Sequence, residues 1–295
     1  MTDSGVSERT AGRIVTSRSN PRVKWLRALS RGGRWAEEGL ALAEGGRLAE
    51  EALDTGTEVV LAVQTSRLSS NERGARLVRK IRDGNFPALA VSDEVLESIS
   101  ATESPQGVLL VLRPTLAKRE AVFGGGGPAK LGMVSTGEEP ELIAVVEGLQ
   151  DPGNLGTILR SAEAFGSGAV VVTSGASPAA VHPYHPKVLR ASMGAAFRLK
   201  IVQGLSTSDF LDLCRARGVQ IVAAAAGGSL TPRRVNWNLP TALLIGNEGA
   251  GLDRATLESA DAVVRIPMPG RVESLNAAVA ASVLLYEASM QRHGG

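Results

Sequence analysis

Several familiar kinds of site are absent from this sequence of 295 residues. Its single cysteine, Cys214, cannot form an intramolecular disulfide, and its apolar neighbours predict a small core residue. Three scattered histidines and one cysteine lack the spacing of metal ligands, so no metal site is expected. No predicted strand is followed by Gly-x-Gly-x-x-Gly, and no Gly-x-x-x-x-Gly-Lys-Ser/Thr occurs. An ordinary dinucleotide or P-loop site is therefore disfavoured.

Signals for a membrane or for export are also missing. No apolar run approaches the ~18 residues of a transmembrane helix. The N-terminus has no basic-then-apolar leader pattern, and 43% hydrophobic with 21% charged residues is typical of a globular protein. We therefore expect a cytoplasmic protein with no membrane partner.

The net charge of +2 is small, but the basic residues are unevenly distributed. Between Arg9 and Arg34 no acidic residue occurs, whereas eight basic residues do: Arg9, Arg13, Arg18, Arg22, Lys24, Arg27, Arg31 and Arg34. Such a run is the electrostatic footprint of a protein that binds a phosphate backbone. A solvated basic face that serves solubility is the alternative.

Strands alternate with helices in two stretches separated by a glycine-rich segment. We assign residues 1–18 to a flexible arm, 19–113 to a small α/β domain, and 141–295 to a larger α/β domain with a parallel sheet. Residues 114–140 contain four consecutive glycines and few large apolar residues, which predicts a flexible linker.

Three stretches of the larger domain combine glycine with side-chain amides or charges beside an apolar strand. The first is 150–160 (QDPGNLGTILR), the second 244–252 (LIGNEGAGL), and the third begins at 265 (RIPMPGRVESLNAAVAAS). In the third, Ser274 is a favoured type of helix N-cap, so we predict that it opens a long apolar helix running to Met290.

In this order, the three stretches resemble the motifs of the SpoU (TrmH-like) family of RNA ribose 2′-O-methyltransferases, within the SPOUT superfamily. The phrases at 16–24, 43–48 and 102–107 resemble the L30e-like substrate-binding domain that often precedes that catalytic domain. The resemblance implies a SPOUT domain with a deep trefoil knot behind a small L30e-like α/β domain. The resemblance also explains why four motif positions are glycine, because backbone would pass closely over backbone and ligand there. These positions are Gly246, Gly249, Gly251 and Gly270.

The same resemblance implies S-adenosylmethionine as the methyl donor, held largely by main-chain groups around Gly246, Ile266 and Leu275. It implies RNA contacts by Arg190, and we add Arg22, Lys24 and Arg27 from the basic run. The implied catalytic set is Asn154, Arg160, Glu248, Ser274 and Asn276.

Individual roles within this set stay open. Arg160 is either a base assisted by a substrate phosphate or a clamp that positions phosphate and hydroxyl, because a guanidinium with a pKa above ~12 is a poor base. Otherwise it is a surface arginine. Glu248 is expected to orient Arg160 or Asn276.

The function implied is methylation of ribosomal RNA, 23S rRNA in particular. A transfer RNA substrate and a non-catalytic RNA-binding module on the same fold are the alternatives. We also expect a homodimer through the final helix, where Val279, Val283, Leu284 and Tyr286 leave little polar surface.

Overall fold

A computed structural model describes residues 14–31, 33–123, 142–175 and 180–294. The chain forms two compact units, each with its own sheet. The first unit comprises Met1–Thr115 together with Tyr184–Phe197, and the second comprises Leu116–Pro183 with Arg198–Gly295.

The first unit has a four-stranded sheet in the order β1-β4-β2-β3, in which only the β2–β3 pair is parallel. Apolar side chains of β1, β2 and β4 pack against helices on this sheet to form the core. The elements are α1 (Pro21–Ser30), β1 (Ala41–Glu44), α2 (Gly46–Asp54), β2 (Glu58–Gln64), α3 (Glu72–Asp83), β3 (Ala88–Ala90), α4 (Asp93–Ile99) and β4 (Val108–Arg113).

The first helix shows why the basic segment adopts a fixed structure. Asn20 caps α1 by accepting a hydrogen bond from the backbone N–H of Arg22 at 2.9 Å, and Pro21 suits the first helical position. Val23, Leu26 and Leu29 are fully buried on one side of the helix. The apolar stripe therefore anchors α1, and the basic residues between these positions lie at or near the surface.

Two parts of the domain assignment need correction. Val15 lies within the predicted flexible arm but pairs with Val91, since its N–H donates to the carbonyl of Ala90 at 2.9 Å. Residues Arg119–Val122, assigned to the flexible linker, form a 3₁₀ helix, and Val122 is buried in the second core. Local apolar contacts stabilise both segments despite their polar neighbours. The four-glycine run and residues 1–13 lie outside the described residues.

The second unit is built on a six-stranded sheet in the order β10-β8-β9-β5-β6-β7, with every pair parallel. Strands such as β5 and β9 are buried along their whole length, as expected for a parallel sheet covered on both faces. Its strands are β5 (Leu142–Glu147), β6 (Ala169–Thr173), β7 (Lys200–Gln203), β8 (Gln220–Ala224), β9 (Thr241–Ile245) and β10 (Ala262–Val264).

The helices of the second unit are α5 (Pro152–Ala164), α8 (Thr207–Ala216), α9 (Arg254–Glu258) and α10 (Ala277–His293), whereas α6 (Pro186–Ser192) and most of α7 (Ala195–Arg198) belong to the first unit. Cys214 on α8 is fully buried, which confirms its prediction as a core residue, and burial raises the pKa of its thiol to about 12. None of the helices in the described ranges is long and apolar enough to cross a membrane.

The parallel sheet and the preceding α/β unit confirm the predicted fold class, while the trefoil knot stays a prediction. The carboxyl ends of β5, β9 and β10 lead directly into the three motif stretches. In open parallel sheets, ligands bind beside the carboxyl ends of strands. The fold therefore brings the three stretches to one edge of the sheet.

Candidate functional site

Three side chains, one from each motif stretch, form a continuous hydrogen-bonded chain. The amide nitrogen of Asn276 donates to Oδ1 of Asn154 at 3.0 Å, and the amide nitrogen of Asn154 donates to Oε1 of Glu248 at 2.9 Å. Asn154 lies 94 positions before Glu248 and 122 positions before Asn276 in the sequence. The site is therefore assembled only when the sheet edge forms.

Helix termini fix both asparagines. Asp151 caps α5 by accepting from the backbone N–H of Asn154 at 2.8 Å, which sets Asn154 in the first turn. Asn276 caps α10 through Oδ1, which accepts from the backbone N–H of Ala278 at 2.9 Å. Its Oδ1 is thus committed to the helix, and its amide nitrogen is free to reach Asn154.

The prediction that Ser274 caps the final helix is wrong. The cap is Asn276 and the helix begins at Ala277, so Ser274 lies exposed in the preceding loop. Both residue types are good caps, and the hydrogen bond from Asn276 to Asn154 favours Asn276. A contact of Ser274 with substrate stays a prediction.

Glu248 is held by a set of donors from the start of the first motif stretch. Its carboxylate accepts from the backbone N–H of Asp151 at 3.1 Å and of Gln150 at 3.4 Å, besides the amide of Asn154. Partial burial alone would raise the pKa of Glu248, but these hydrogen bonds and its own backbone N–H together lower the pKa below 4.5. Glu248 is therefore ionised at neutral pH and is linked to Asn276 through the side chain of Asn154.

Arg160 does not join this chain of hydrogen bonds. Of the two partners expected for Glu248, the structure therefore links Asn276 and not Arg160 to it. Arg160 lies six residues after Asn154 on α5, which at ~100° per residue turns it about 120° away from that side chain. It is exposed, and within the described residues it makes no hydrogen bond or ion pair. Its guanidinium is available to a phosphate or another anionic group.

Two further residues that sequence reasoning did not single out shape the second motif loop. The amide of Asn247 donates to the carbonyl of Gly148 at 2.8 Å, and its Oδ1 accepts from the N–H of Gly249 at 2.9 Å. Glu147 is buried at the end of β5 and accepts from the Thr256 hydroxyl at 3.0 Å. The signal in the sequence was an acidic residue closing an apolar strand and an asparagine opening a glycine-rich turn.

The residues expected at the cofactor lie in the loops that follow β9 and β10. Gly246 is buried, and Ile266 and Leu275 are half-buried. Within the part of the chain that the structure describes, no backbone N–H or C=O of residues 266–275 is engaged in a hydrogen bond. Apolar side chains beside unpaired main-chain groups fit the adenosine part of S-adenosylmethionine, so these residues could hold it.

Close approach of backbone to backbone is observed at one of the four motif glycines, and close approach to a ligand stays a prediction. A Cβ on Gly246 would lie 2.2 Å from the backbone carbon of Gly251, so only glycine fits. A Cβ on Gly249, Gly251 or Gly270 would meet no backbone atom within 4 Å. Gly251 instead has a φ of +70°, a left-handed conformation that favours glycine.

The RNA-binding candidates lie in the first unit, and they differ in their exposure and in whether their side chains have hydrogen-bond partners. Lys24 is exposed and Arg22 half-buried, and neither side chain has a partner among the described residues. Arg27 donates to the Ser98 hydroxyl at 3.1 Å, and Arg190 is exposed on α6. Arg9 and Arg13 lie outside the described residues. Around these positions and elsewhere in the described ranges, no three His, Cys, Asp or Glu side chains could hold a metal ion.

Comparison with protein families identifies both parts of the chain. Residues 141–286 match the model of the SpoU rRNA Methylase family, and residues 20–110 match the MRM3-like substrate binding domain. The fold, the site and these matches define an RNA (ribose-2′-O)-methyltransferase that uses S-adenosylmethionine. The chain belongs to the SpoU rRNA methylase family.

Similar proteins span nearly its whole length. An uncharacterised tRNA/rRNA methyltransferase of Synechocystis sp. is 34% identical over 94% of this chain and 94% of its own length. The 23S rRNA (guanosine-2′-O-)-methyltransferase RlmB of Coxiella burnetii is 30% identical, over 81% of this chain and 91% of its own. Among solved structures, an AdoMet-bound rRNA methyltransferase from Sinorhizobium meliloti has a TM-score of 0.78 and 32% identity, covering 94% of this chain and 97% of the other.

Proposed function

We propose that this protein methylates a ribose 2′-hydroxyl of 23S rRNA. The observation that carries the proposal is the chain of hydrogen bonds Glu248–Asn154–Asn276 beside the expected cofactor loops, with an unpartnered Arg160 on the same helix as Asn154. The relation to a 23S rRNA methyltransferase supports the choice of RNA. Such a substrate implies a cytoplasmic protein.

Each residue of the site has a separate role in the proposed reaction. S-adenosylmethionine supplies an electrophilic methyl group when bound. Asn276 and Asn154, fixed by helix termini and by the ionised Glu248, orient the ribose, and Ser274 contacts the substrate from the adjacent loop. Arg160 clamps a substrate phosphate and so positions the 2′-hydroxyl, a role that its planar fork of donors suits better than proton abstraction. The 2′-oxygen forms its bond to the methyl carbon as the carbon–sulfur bond breaks, and the hydroxyl proton passes to the clamped phosphate or to water.

The test is single-turnover transfer from radiolabelled S-adenosylmethionine to 23S rRNA. Arg160→Ala should reduce the rate by about 10² to 10³, and Arg160→Lys should recover little because an ammonium cannot reproduce the fork. Cofactor affinity, measured in parallel, should stay near that of the wild type. A variant that transfers within threefold of wild type would leave Arg160 as a surface residue.

The RNA target has its own test. Ribose methylation is mapped in total RNA from cells with and without this protein, and one 2′-O-methyl position of 23S rRNA should disappear. Loss of a position in transfer RNA instead would favour the alternative substrate. A calorimetric titration of S-adenosylmethionine that detects no binding would favour the non-catalytic RNA-binding module.

A homodimer through α10 belongs to the same proposal. Val279, Val283, Tyr286 and Met290 are exposed by 48%, 39%, 50% and 39%, and their spacing of four, three and four residues aligns them on one face. Leu284, which we expected in this surface, is instead buried within its own chain. An apolar stripe of this length suits a second copy of the same helix, and the partner's α10 would cover it.

A further inference from the structure

The first unit contains a cavity that the catalytic site does not use. Its volume is about 340 Å³, and its lining comes from β1 and α2, from the loop that precedes β4, and from α6. This volume is at the lower end of the range for small-molecule sites, about 300 to 1,000 Å³, and suits one nucleotide.

Hydrogen bonds hold the wall of this cavity in place. The carboxylate of Glu44 accepts from the hydroxyls of Ser100 and Thr102, the latter at 2.6 Å, and from the backbone N–H of Ala101 at 3.3 Å. Oε1 of Gln106 accepts from the backbone N–H of Gly46 at 3.2 Å. The loop before β4 is therefore tied to β1 and α2, and the cavity is formed before any ligand arrives.

The charge of the lining favours an anion. Arg47 and Arg190 both line the cavity, both are exposed, and neither has a hydrogen bond or ion pair among the described residues. The one carboxylate in the lining, Glu44, is already engaged by loop donors. Two free guanidinium groups are suited to a phosphate, which they can bind through paired donors.

The remaining lining suits a base. Leu48 and Met193 contribute apolar surface to the same cavity, and a methionine adapts its shape to a flat ring. With Oε1 of Gln106 occupied, its amide nitrogen is left to donate to the edge of a base. Unpaired RNA bases, unlike those inside a duplex, can turn out of the stack and enter such a cavity.

We infer that this cavity holds one unpaired nucleotide of the RNA substrate, with its phosphate against Arg47 and Arg190 and its base against Leu48 and Met193. The inference rests on the proposed function, since it takes RNA as the substrate. It assigns the cavity the task of selecting a loop or bulge in the RNA, separate from the methyl-transfer site.

The test uses the full-length protein and a 23S rRNA transcript, without S-adenosylmethionine. Ultraviolet cross-linking and mass spectrometry should find nucleotide adducts on peptides that contain residues 44–48, 102–106 or 190–193. Reverse transcription should map the cross-linked nucleotide to an unpaired position. Arg47→Ala combined with Arg190→Ala should reduce these adducts about tenfold or more, because each charged hydrogen bond is worth about that factor.

Arg79→Ala is the matched control, since Arg79 is also an exposed arginine of the first unit without a partner among the described residues, and its adducts should not change. Adducts that spare the three peptides, that persist in the double variant, or that map to a paired nucleotide would overturn the inference while RNA binding still supports the proposed function. A wild-type protein that gives no cross-link and no RNA binding at all would overturn the proposed function as well.

Discussion

Gly246 is the motif glycine at which the neighbouring backbone leaves least room for a side chain. The Cβ of an alanine there would lie 2.2 Å from the carbon of Gly251 and 2.3 Å from the nitrogen of Leu252, so the motif-2 loop would have to move. We expect Gly246→Ala to destabilise the protein by about 1 to 3 kcal/mol and to weaken S-adenosylmethionine binding. Gly227→Ala, where a Cβ meets nothing within 4 Å, is the control in denaturant unfolding and calorimetry. Equal stability of the two variants would contradict the close approach.

Glu248 gives a pH dependence whose sign follows from its hydrogen bonds. Because the folded protein lowers the pKa of this carboxyl below 4.5, its contribution to stability is present above that pH and is lost as the pH falls through the folded-state pKa. Glu248→Gln should therefore be less stable than wild type near neutral pH, by less than about 1 kcal/mol at this exposed position. The difference should shrink in acid. Urea unfolding of both proteins at several pH values measures it, and a pH-independent difference would show that the charge is not involved.

At the scale of elements, the exposed face of α10 determines the oligomeric state that we propose. Val283→Asp would place an unpaired charge in the interface, which should weaken association about a hundredfold, since such a charge is penalised by about 3 kcal/mol or more. Light scattering at micromolar concentration should then report a mass of 30.6 kDa, that of one chain. Ile14→Asp is the control, because Ile14 is a 53% exposed apolar residue of the first unit and its substitution should leave the dimer intact. A wild-type protein that is already a monomer would refute the dimer.

The elements themselves were largely predictable from the sequence, because local patterns determine them. The alternation of strands and helices predicted for residues 19–113 and 141–295 is observed in both stretches. The start of α10 was not predicted correctly, since Ser274 and Asn276 are both favoured caps and a hydrogen bond to distant Asn154 favours the latter.

For the site, the sequence predicted which residues belong to it but not how they are connected. Motif resemblance brought Asn154, Glu248 and Asn276 together, but their order in the hydrogen-bonded chain depends on three loops meeting at the sheet edge. The isolation of Arg160 from Glu248 follows from its rotation about α5, and a motif pattern alone did not reveal it. Asn247 donates to a backbone carbonyl, and Glu147 accepts from a buried hydroxyl. A search of the sequence for chemically reactive groups overlooks such structural contacts.

At the scale of the whole molecule, the first unit combines two distant parts of the sequence. Tyr184–Phe197 belongs to it, and the ring of His185 packs edge-on against Trp35 at 5.6 Å between centroids. Burial is the main reason that the pKa of His185 is lowered, with Arg190 and Lys187 adding to the effect. Removal of residues 1–113 would strip α6 of these neighbours, so substitutions at the surface are the better way to examine RNA binding by this unit.

The basic residues of α1 should contribute to the salt dependence of RNA binding. Arg22 and Lys24 have side chains without partners in the described ranges, whereas Arg31 donates to the carbonyl of Ser100 and has a structural task. Each phosphate contact contributes about 0.7 to 0.9 to the slope of log K against log salt concentration. Arg22→Ala with Lys24→Ala should therefore lower the slope by about 1.5 and leave S-adenosylmethionine affinity unchanged.

Arg76→Ala with Lys80→Ala removes the same charge from residues already paired with Glu72 and Asp54, so it should leave the slope unaltered. If both double variants reduce the slope equally, binding follows net charge alone, and α1 has no special place in RNA recognition.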